Sequence, residues 1–489
     1  MAMRKLSSLS RKKKTMNKGY KIKLPGATLI LVLISISYFA QGPRFEIKFS
    51  EPLAVFAYVE QLSSKHPDNA FKKQFSTSLY NREKYKSLLA QFDTLRLNYT
   101  YEFEGFPYGS KMPGMTEALL KKNLVNSVNL KDFKKNSAGI VPNTILLQLT
   151  SILYEFQLVY RELVYQPNKI KFEKQLNEII EFAKNKNLAT YFDKGLTFYK
   201  SHWDESFPFE IALYPLPNSH GFSAEAFCNS AISALPIDSK DYPVLLSVVM
   251  HEIFHILYDE QAPVVKRNIS KWFTANSSKS SAYAYLLLNE ALATAVGNGY
   301  VYEALSGKKD EADWYDRKYI DQLAKKIYPM VADYIAQKKG IDEGFVNIYI
   351  KFYEENYSEW LNEMDNLMCY RFVITDNAAD FAIFRKFYPY CSLSQYEDQV
   401  TEMSLDKLKF SPITKVIVVS KENELKLAMI KNKFPELKEW KYKAKQDFFF
   451  SIFLKDKTQL ILINTVKNTT EQMISGRITL PSPTASTKK

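Results

Sequence analysis

Cysteine is nearly absent from this 489-residue chain: Cys228, Cys369 and Cys391 are the only three. So few thiols exclude a disulfide framework, and none has the spacing of a metal cluster. One bridge between Cys369 and Cys391 and three buried small hydrophobes fit the sequence equally well. Glycine is scarce as well, with 15 residues, which argues against a large all-β or turn-repeat architecture. Acid is missing altogether before Glu46, whereas nine Lys or Arg fall within the first 23 residues. Setting those nine aside lowers the formal charge from +13 to +4, so the basic balance marks no nucleic-acid-binding face. The remaining body, in a chain 46% hydrophobic and 24% charged, has the composition of an ordinary globular protein.

The basic head runs directly into residues 24–40, LPGATLILVLISISYFA. A positive segment followed by an apolar run of this length is an export signal. The run is shorter than the roughly 18 residues a spanning helix needs. Ser35-Ile36-Ser37 offers a small-x-small cleavage site, while the long basic head favours an uncleaved anchor held on its cytoplasmic side. The body is therefore expected outside the cytoplasm, in a bacterial-type periplasm or at the cell surface, with membrane attachment through 24–40 and release both open.

Hydrophobic periodicity predicts an α+β chain that is mostly helical. Apolar positions recur at helical spacing in 53–62, 85–95, 145–165 and 172–182. Two short strands, 209–216 and 226–235, flank a Pro/Asn/Gly loop that contains His220. Helices resume at 243–258, 282–304, 312–337 and 344–357. Strand 414–420, helix 422–433 and the strands 447–454 and 459–465 form a small α/β module. The domain division that follows is 1–40 for the signal or anchor, 41–200 for a helical domain, 201–400 for a catalytic domain, 401–478 for the C-terminal module and 479–489 for a loose tail.

Chemistry concentrates in the helix from Pro243, which reads PVLLSVVMHEIFHILYDE and is apolar nearly all round. Burying His251, Glu252 and His255 together costs several kcal/mol unless each finds a strong partner. A metal ion supplies one. Histidines at i and i+4 share a face, so both rings can reach one Zn²⁺, and Glu252 reaches the same cavity as a proton acceptor without ligating. With five histidines in the chain, a chance His-Glu-x-x-His is expected about 0.003 times. A catalytic zinc needs a third protein ligand and an open fourth position. No histidine follows His255, so a carboxylate is required. The next apolar helix, YAYLLLNEALATAVGNGYVYE, has Glu290 as its only acid before Glu303. Ala293, Thr294 and Gly297 lie 3, 4 and 7 residues past Glu290, so that face can approach a neighbouring helix closely.

His251-Glu252-x-x-His255 followed by Leu288-Asn289-Glu290-Ala291-Leu292-Ala293 resembles the gluzincin metallopeptidases, the zinc family of thermolysin and the alanyl-type aminopeptidases. The resemblance covers about 60 residues. It implies a gluzincin-like core, a short antiparallel sheet beside the two site helices, with zinc on His251, His255 and Glu290 and with Glu252 as general base and acid. It also implies a substrate backbone added to an edge strand, here 226–235, with Ala226, Asn229 and Ser230 as contacts. An interior strand is an equal reading of that segment. A tyrosine is implied as oxyanion donor: Tyr300 and Tyr328 are the leading candidates among Tyr300, Tyr302, Tyr315, Tyr319, Tyr328 and Tyr334. Three features depart from the family. Residues 260–282 make a longer linker, the Gly-x-Met-Glu-Asn string is missing, and Thr294 stands where thermolysin-like chains carry an Asp, which leaves the orienter of His251 unassigned.

The leading expectation is thus an exported zinc peptidase acting on a peptide or protein substrate. The competing one is an envelope binding or assembly protein that retains a structural or vestigial site. An intact Glu252 favours the enzyme, because a structural zinc has no need of a base. Substrate, oligomeric state and mode of cleavage are not written in the sequence.

Overall fold

The computed structural model describes residues 45–99, 115–217 and 221–476. The apolar run 24–40 expected as an export signal, His220 and the tail 479–489 lie outside the described residues. The expected α+β, mostly helical class is what the chain adopts. Among the described residues, no helix is long and apolar enough to cross a membrane.

The N-terminal helices pack around a core built on Phe56, Tyr58, Phe133 and Phe156. Their longest member runs through Asn143–Tyr160, a π turn at Arg161–Tyr165, and on through Gln166–Asn185. The π turn has a local cause. Pro167 has no N–H to give the Leu163 carbonyl, and its ring crowds that oxygen. The freed carbonyl accepts the Gln74 amide at 2.5 Å instead, and Asn168 donates to Val164 O at 2.7 Å.

A four-stranded sheet separates this layer from the site helices. Strands β1 (Phe45–Lys48), β2 (Phe209–Leu216), β3 (Ala224–Phe227) and β4 (Ser230–Pro236) lie in the order β1-β2-β4-β3. The first three in that order run parallel, and β3 is antiparallel to β4 with Ala226 opposite Ala231. The sheet is therefore mixed, not the antiparallel sheet expected. Alternation feeds two cores: Ile211, Leu213, Ala231 and Leu235 face the site helices, while Ala212 and Ile232 face the N-terminal layer. Covering both faces buries β4 along its whole length. The segment expected as one edge strand is in fact a hairpin. It turns at Cys228, whose φ is +54°, and Asn229, so only its first arm lies on the sheet edge.

Against this sheet packs α1 (Tyr242–Asp259), which in turn packs on α2 (Ser281–Ala293), and α2 packs on α3 (Lys318–Ala336). The stretch between the first two, read as a long linker, contains a further helix, Pro263–Ala275, with proline in its first turn. Helix α2 continues as a π segment, Thr294–Val301, that packs on α1. Helix α3 starts six residues later than the periodicity suggested, so Ala312 to Arg317 form a loop.

A second sheet closes the chain. Strands β5 (Tyr370–Thr375), β6 (Leu393–Glu397), β7 (Thr414–Val419), β8 (Phe448–Phe453) and β9 (Gln459–Asn464) run β6-β5-β7-β9-β8, all parallel except β8. Two of its strands come from residues assigned by sequence to the catalytic segment, so the α/β module reaches back to Tyr370. The described residues all fall within one compact unit, Pro43–Lys489. All three cysteines are free thiols.

Gly297 fixes the closest approach in the molecule's centre. A methyl group there would stand 2.6–2.7 Å from His251 Cα, Cβ and N. Overpacking of this kind costs about 1–3 kcal/mol, and the neighbour being backbone puts this case at the upper end. Gly297→Ala is expected to lower the unfolding midpoint and to weaken metal retention together; denaturant unfolding and metal analysis of the same preparation check it.

Candidate metal centre

Helix α1 forms where its sequence says a helix should. Asp241 caps it, accepting the Val244 N–H at 3.3 Å, and Pro243 sits in the first turn. Leu245, Leu246, Val249, Met250, Ile253, Phe254 and Leu257 are fully buried, which locks the helix's rotation. Gly195, on the helix Leu188–Tyr199, lets Phe254 and Leu257 pack at its Cα. The face left over points His251 and His255 toward α2.

There the two rings meet Glu290. His251 Nε2 lies 3.1 Å from Glu290 Oε1, His255 Nε2 lies 3.4 Å from the same oxygen, and the two Nε2 atoms are 3.2 Å apart. Glu252 Oε1 stands 3.9 Å from His251 Nε2, beside this triangle and outside it. His251 is buried, and His255, Glu252 and Glu290 are partly buried. The sequence placed all four residues together, and the structure brings all four together.

Asn289 supplies what the sequence left unassigned, though for the other histidine. His255 Nδ1 donates to Asn289 Oδ1 at 3.1 Å, which fixes the ring with Nε2 toward Glu290. His251 Nδ1 has no hydrogen-bond partner, and neither has the buried Thr294 Oγ1. An acid at the Thr294 position is thus not replaced by a hydrogen bond to His251.

The charges are strongly coupled. Burial alone would raise the Glu290 carboxyl, yet the hydrogen bonds from His251 and His255 outweigh it and hold the group well below the usual carboxylate range. Burial opposes a charge on His255, but the Glu290 and Glu252 carboxylates win and push its pKa up to about 9. For Glu252, burial dominates and raises the carboxyl despite both histidines. Two imidazole nitrogens and a carboxylate oxygen that converge on one point in a half-dry cleft form a set that can hold a metal ion.

Tyr300 and Tyr328, the leading two of the six candidate tyrosines, are not at this point. Tyr300 OH accepts from Lys194 Nζ at 2.8 Å, and Tyr328 OH donates to Glu303 Oε2 at 2.5 Å. Tyr319 and Tyr334 are likewise engaged, by Glu363 and Asp342. Tyr315 is the one that arrives. Its ring lies against His251 with centroids 6.0 Å apart and 26° between planes, and burial together with the nearby Glu290 carboxylate raises the pKa of its hydroxyl. The loop carrying it is pinned at Trp314, whose N–H donates to Asp321 Oδ1 at 2.7 Å and whose carbonyl accepts Asn298 Nδ2 at 2.9 Å. Nothing in the periodicity singled out Tyr315, because the helix was expected to begin before it.

Of the expected substrate contacts, Ala226 lies on β3, the terminal strand of the sheet and a neighbour of α1. Ser230 is completely buried in β4 between two other strands, so it cannot meet a substrate. Asn229 occupies the hairpin turn, where its amide donates to Pro208 O at 2.9 Å. A turn at Cys228-Asn229 was readable from the asparagine, which tolerates turn geometry.

Comparison with protein-family models, with curated proteins and with solved structures finds no match to this chain. The site is therefore argued on its own geometry. Asn289→Ala is expected to reduce metal affinity about 10- to 100-fold, the usual effect of losing a partner that orients a ligating histidine. Competition titration with a metal indicator, on wild type and variant, reads it directly.

Proposed function

We propose that the protein is a zinc-dependent peptidase of gluzincin type, exported by its basic head and apolar run. The observation that carries the reading is the triangle of His251 Nε2, His255 Nε2 and Glu290 Oε1 with Glu252 beside it. Ligand atoms about 2.0–2.2 Å from a tetrahedral zinc stand roughly 3.3–3.5 Å apart. The three separations here, 3.1, 3.2 and 3.4 Å, come within about 0.2 Å of that range. Two nitrogens and one carboxylate oxygen also match the donor set of hydrolytic zinc, which leaves one position open.

When bound there, zinc would polarise the scissile carbonyl and acidify the attacking water. The chain's own residues do the rest. Glu252 Oε1 takes the proton from the attacking water and then delivers it to the leaving nitrogen. Tyr315 OH, on a ring that lies against His251 and near the Glu290 carboxylate, is the donor available to the developing oxyanion. Strand β3 offers main-chain groups at the sheet edge for an extended peptide, with Ala226 small enough to admit it.

The acid–base role of Glu252 gives the direct test. Glu252→Gln is expected to keep the metal and lose cleavage of a peptide library by about 10²- to 10⁴-fold in kcat, as removal of a general base does. A variant that keeps the metal and cleaves as fast as wild type contradicts the reading.

A further inference from the structure

Two residues past Tyr315, on the same loop, lies Arg317, and its surroundings are unusual for a cation. One end of the guanidinium is held: Nη1 donates to Ser392 Oγ at 3.2 Å and to Cys369 Sγ at 3.4 Å. The group also lies 5.2 Å from the centroid of the Tyr390 ring. All three partners are neutral. Among the described residues no carboxylate pairs with Arg317, although its neighbour Lys318 pairs with Glu363. Arg317 Nε is buried without a hydrogen-bond partner, and Nη2 makes no hydrogen bond among the described residues. A partly buried guanidinium with no counter-ion and one edge unused is a costly arrangement in a resting protein.

The unused edge belongs to the metal centre's surroundings. Tyr315, two residues earlier, has its ring centroid 6.0 Å from that of His251, and it feels both the Glu290 carboxylate and the Arg317 guanidinium. So does Tyr370, the first residue of β5, whose pairing with Leu393 on β6 sets it beside Ser392. Ser392 thus joins Arg317 to Tyr370 on one wall, and Glu290 lies within electrostatic reach of both tyrosines. This wall is the start of the C-terminal sheet, opposite in sequence and in kind to the β3 edge. A guanidinium so held is preorganised: Ser392, Cys369 and Tyr390 fix its plane, and nothing neutralises its charge.

We propose that Arg317 binds a carboxylate of the substrate and so sets the specificity of the centre. The chemistry is an Arg–carboxylate pair formed by Nη2, the donor that lacks a partner and is not shut away as Nε is. The carboxylate has two sources, the C-terminus of a peptide or an Asp or Glu side chain near the cleaved bond. This proposal rests on the peptidase reading above.

The experiment uses zinc-loaded full-length protein carrying Glu252→Gln, so that binding is read without turnover. Calorimetry compares three versions of one peptide: a free C-terminal acid, the C-terminal amide, and the amide with a Glu placed beside the cleaved bond. A carboxylate-bearing version should bind at least about tenfold more tightly than the plain amide, as expected for a charge-assisted pair. Which of the two does so identifies the source. Adding Arg317→Gln should erase the difference at unchanged zinc content, and Arg317→Lys should restore part of it. Equal binding of all three peptides, or a preference that survives Arg317→Gln, overturns the proposal while wild type still cleaves. If wild-type protein cleaves none of the three, the peptidase reading fails first and this proposal falls with it.

Discussion

Contact between the backbone of α1 at His251 and the π segment that continues α2 at Gly297 sets the spacing of the central helices. Every distance in the centre depends on that spacing. Glu290 reaches both histidines because seven residues further on there is no side chain to hold the helices apart. Asn289 reaches His255 for the same reason, one residue earlier on the same helix. The π segment, Thr294–Val301, begins four residues after the ligand and carries the closest contact. π geometry of this kind is found mostly as short segments at functional sites.

Outside this contact the molecule serves to hold the two helices still. The mixed sheet supplies one apolar face to α1 and another to the N-terminal helices, so the layer of the candidate metal centre and the helical layer share a wall. Lys121, from the helix Met115–Asn126, ties that wall together. It reaches Glu225 on β3 at 2.9 Å, Glu117 at 3.4 Å and Glu60 at 3.6 Å. Its ammonium is nearly inaccessible and surrounded by three carboxylates, which raise its pKa against the effect of burial. On the opposite side, Tyr283 of α2 donates to or accepts from Thr414 at 3.0 Å and accepts the Gln459 N–H, so the C-terminal sheet is fastened to the ligand helix itself.

The ligands were legible because metal chemistry writes itself locally. Two histidines one helical turn apart, and one acid in an otherwise apolar helix, are statements about single helices, and helices are local. What was not legible depended on tertiary placement. β1 is four partly buried residues whose pairing with β2 spans more than 160 positions. No periodicity marked β5 or β6, and β5 is defined by its pairing between β6 and β7. Tyr315 and Arg317 sit on a loop whose course is set by Asp321 and Asn298, contacts that no periodicity reports. Tyr300 and Tyr328 were reasonable by position along the helix, but each turns to a charged partner away from the centre. Ser230 failed as a substrate contact because one turn, at Cys228 and Asn229, moved it to the sheet's interior.

The central claim is that these helices hold one metal ion at three named atoms. Elemental analysis of purified wild-type protein beside His251→Ala and Glu290→Ala tests it most directly. The account predicts close to one zinc per chain in wild type and a strong loss in both variants, with the variants still folded by circular dichroism. Wild-type protein that takes up no zinc from a zinc-replete buffer, or an Glu290→Ala variant that retains it fully, would contradict the account.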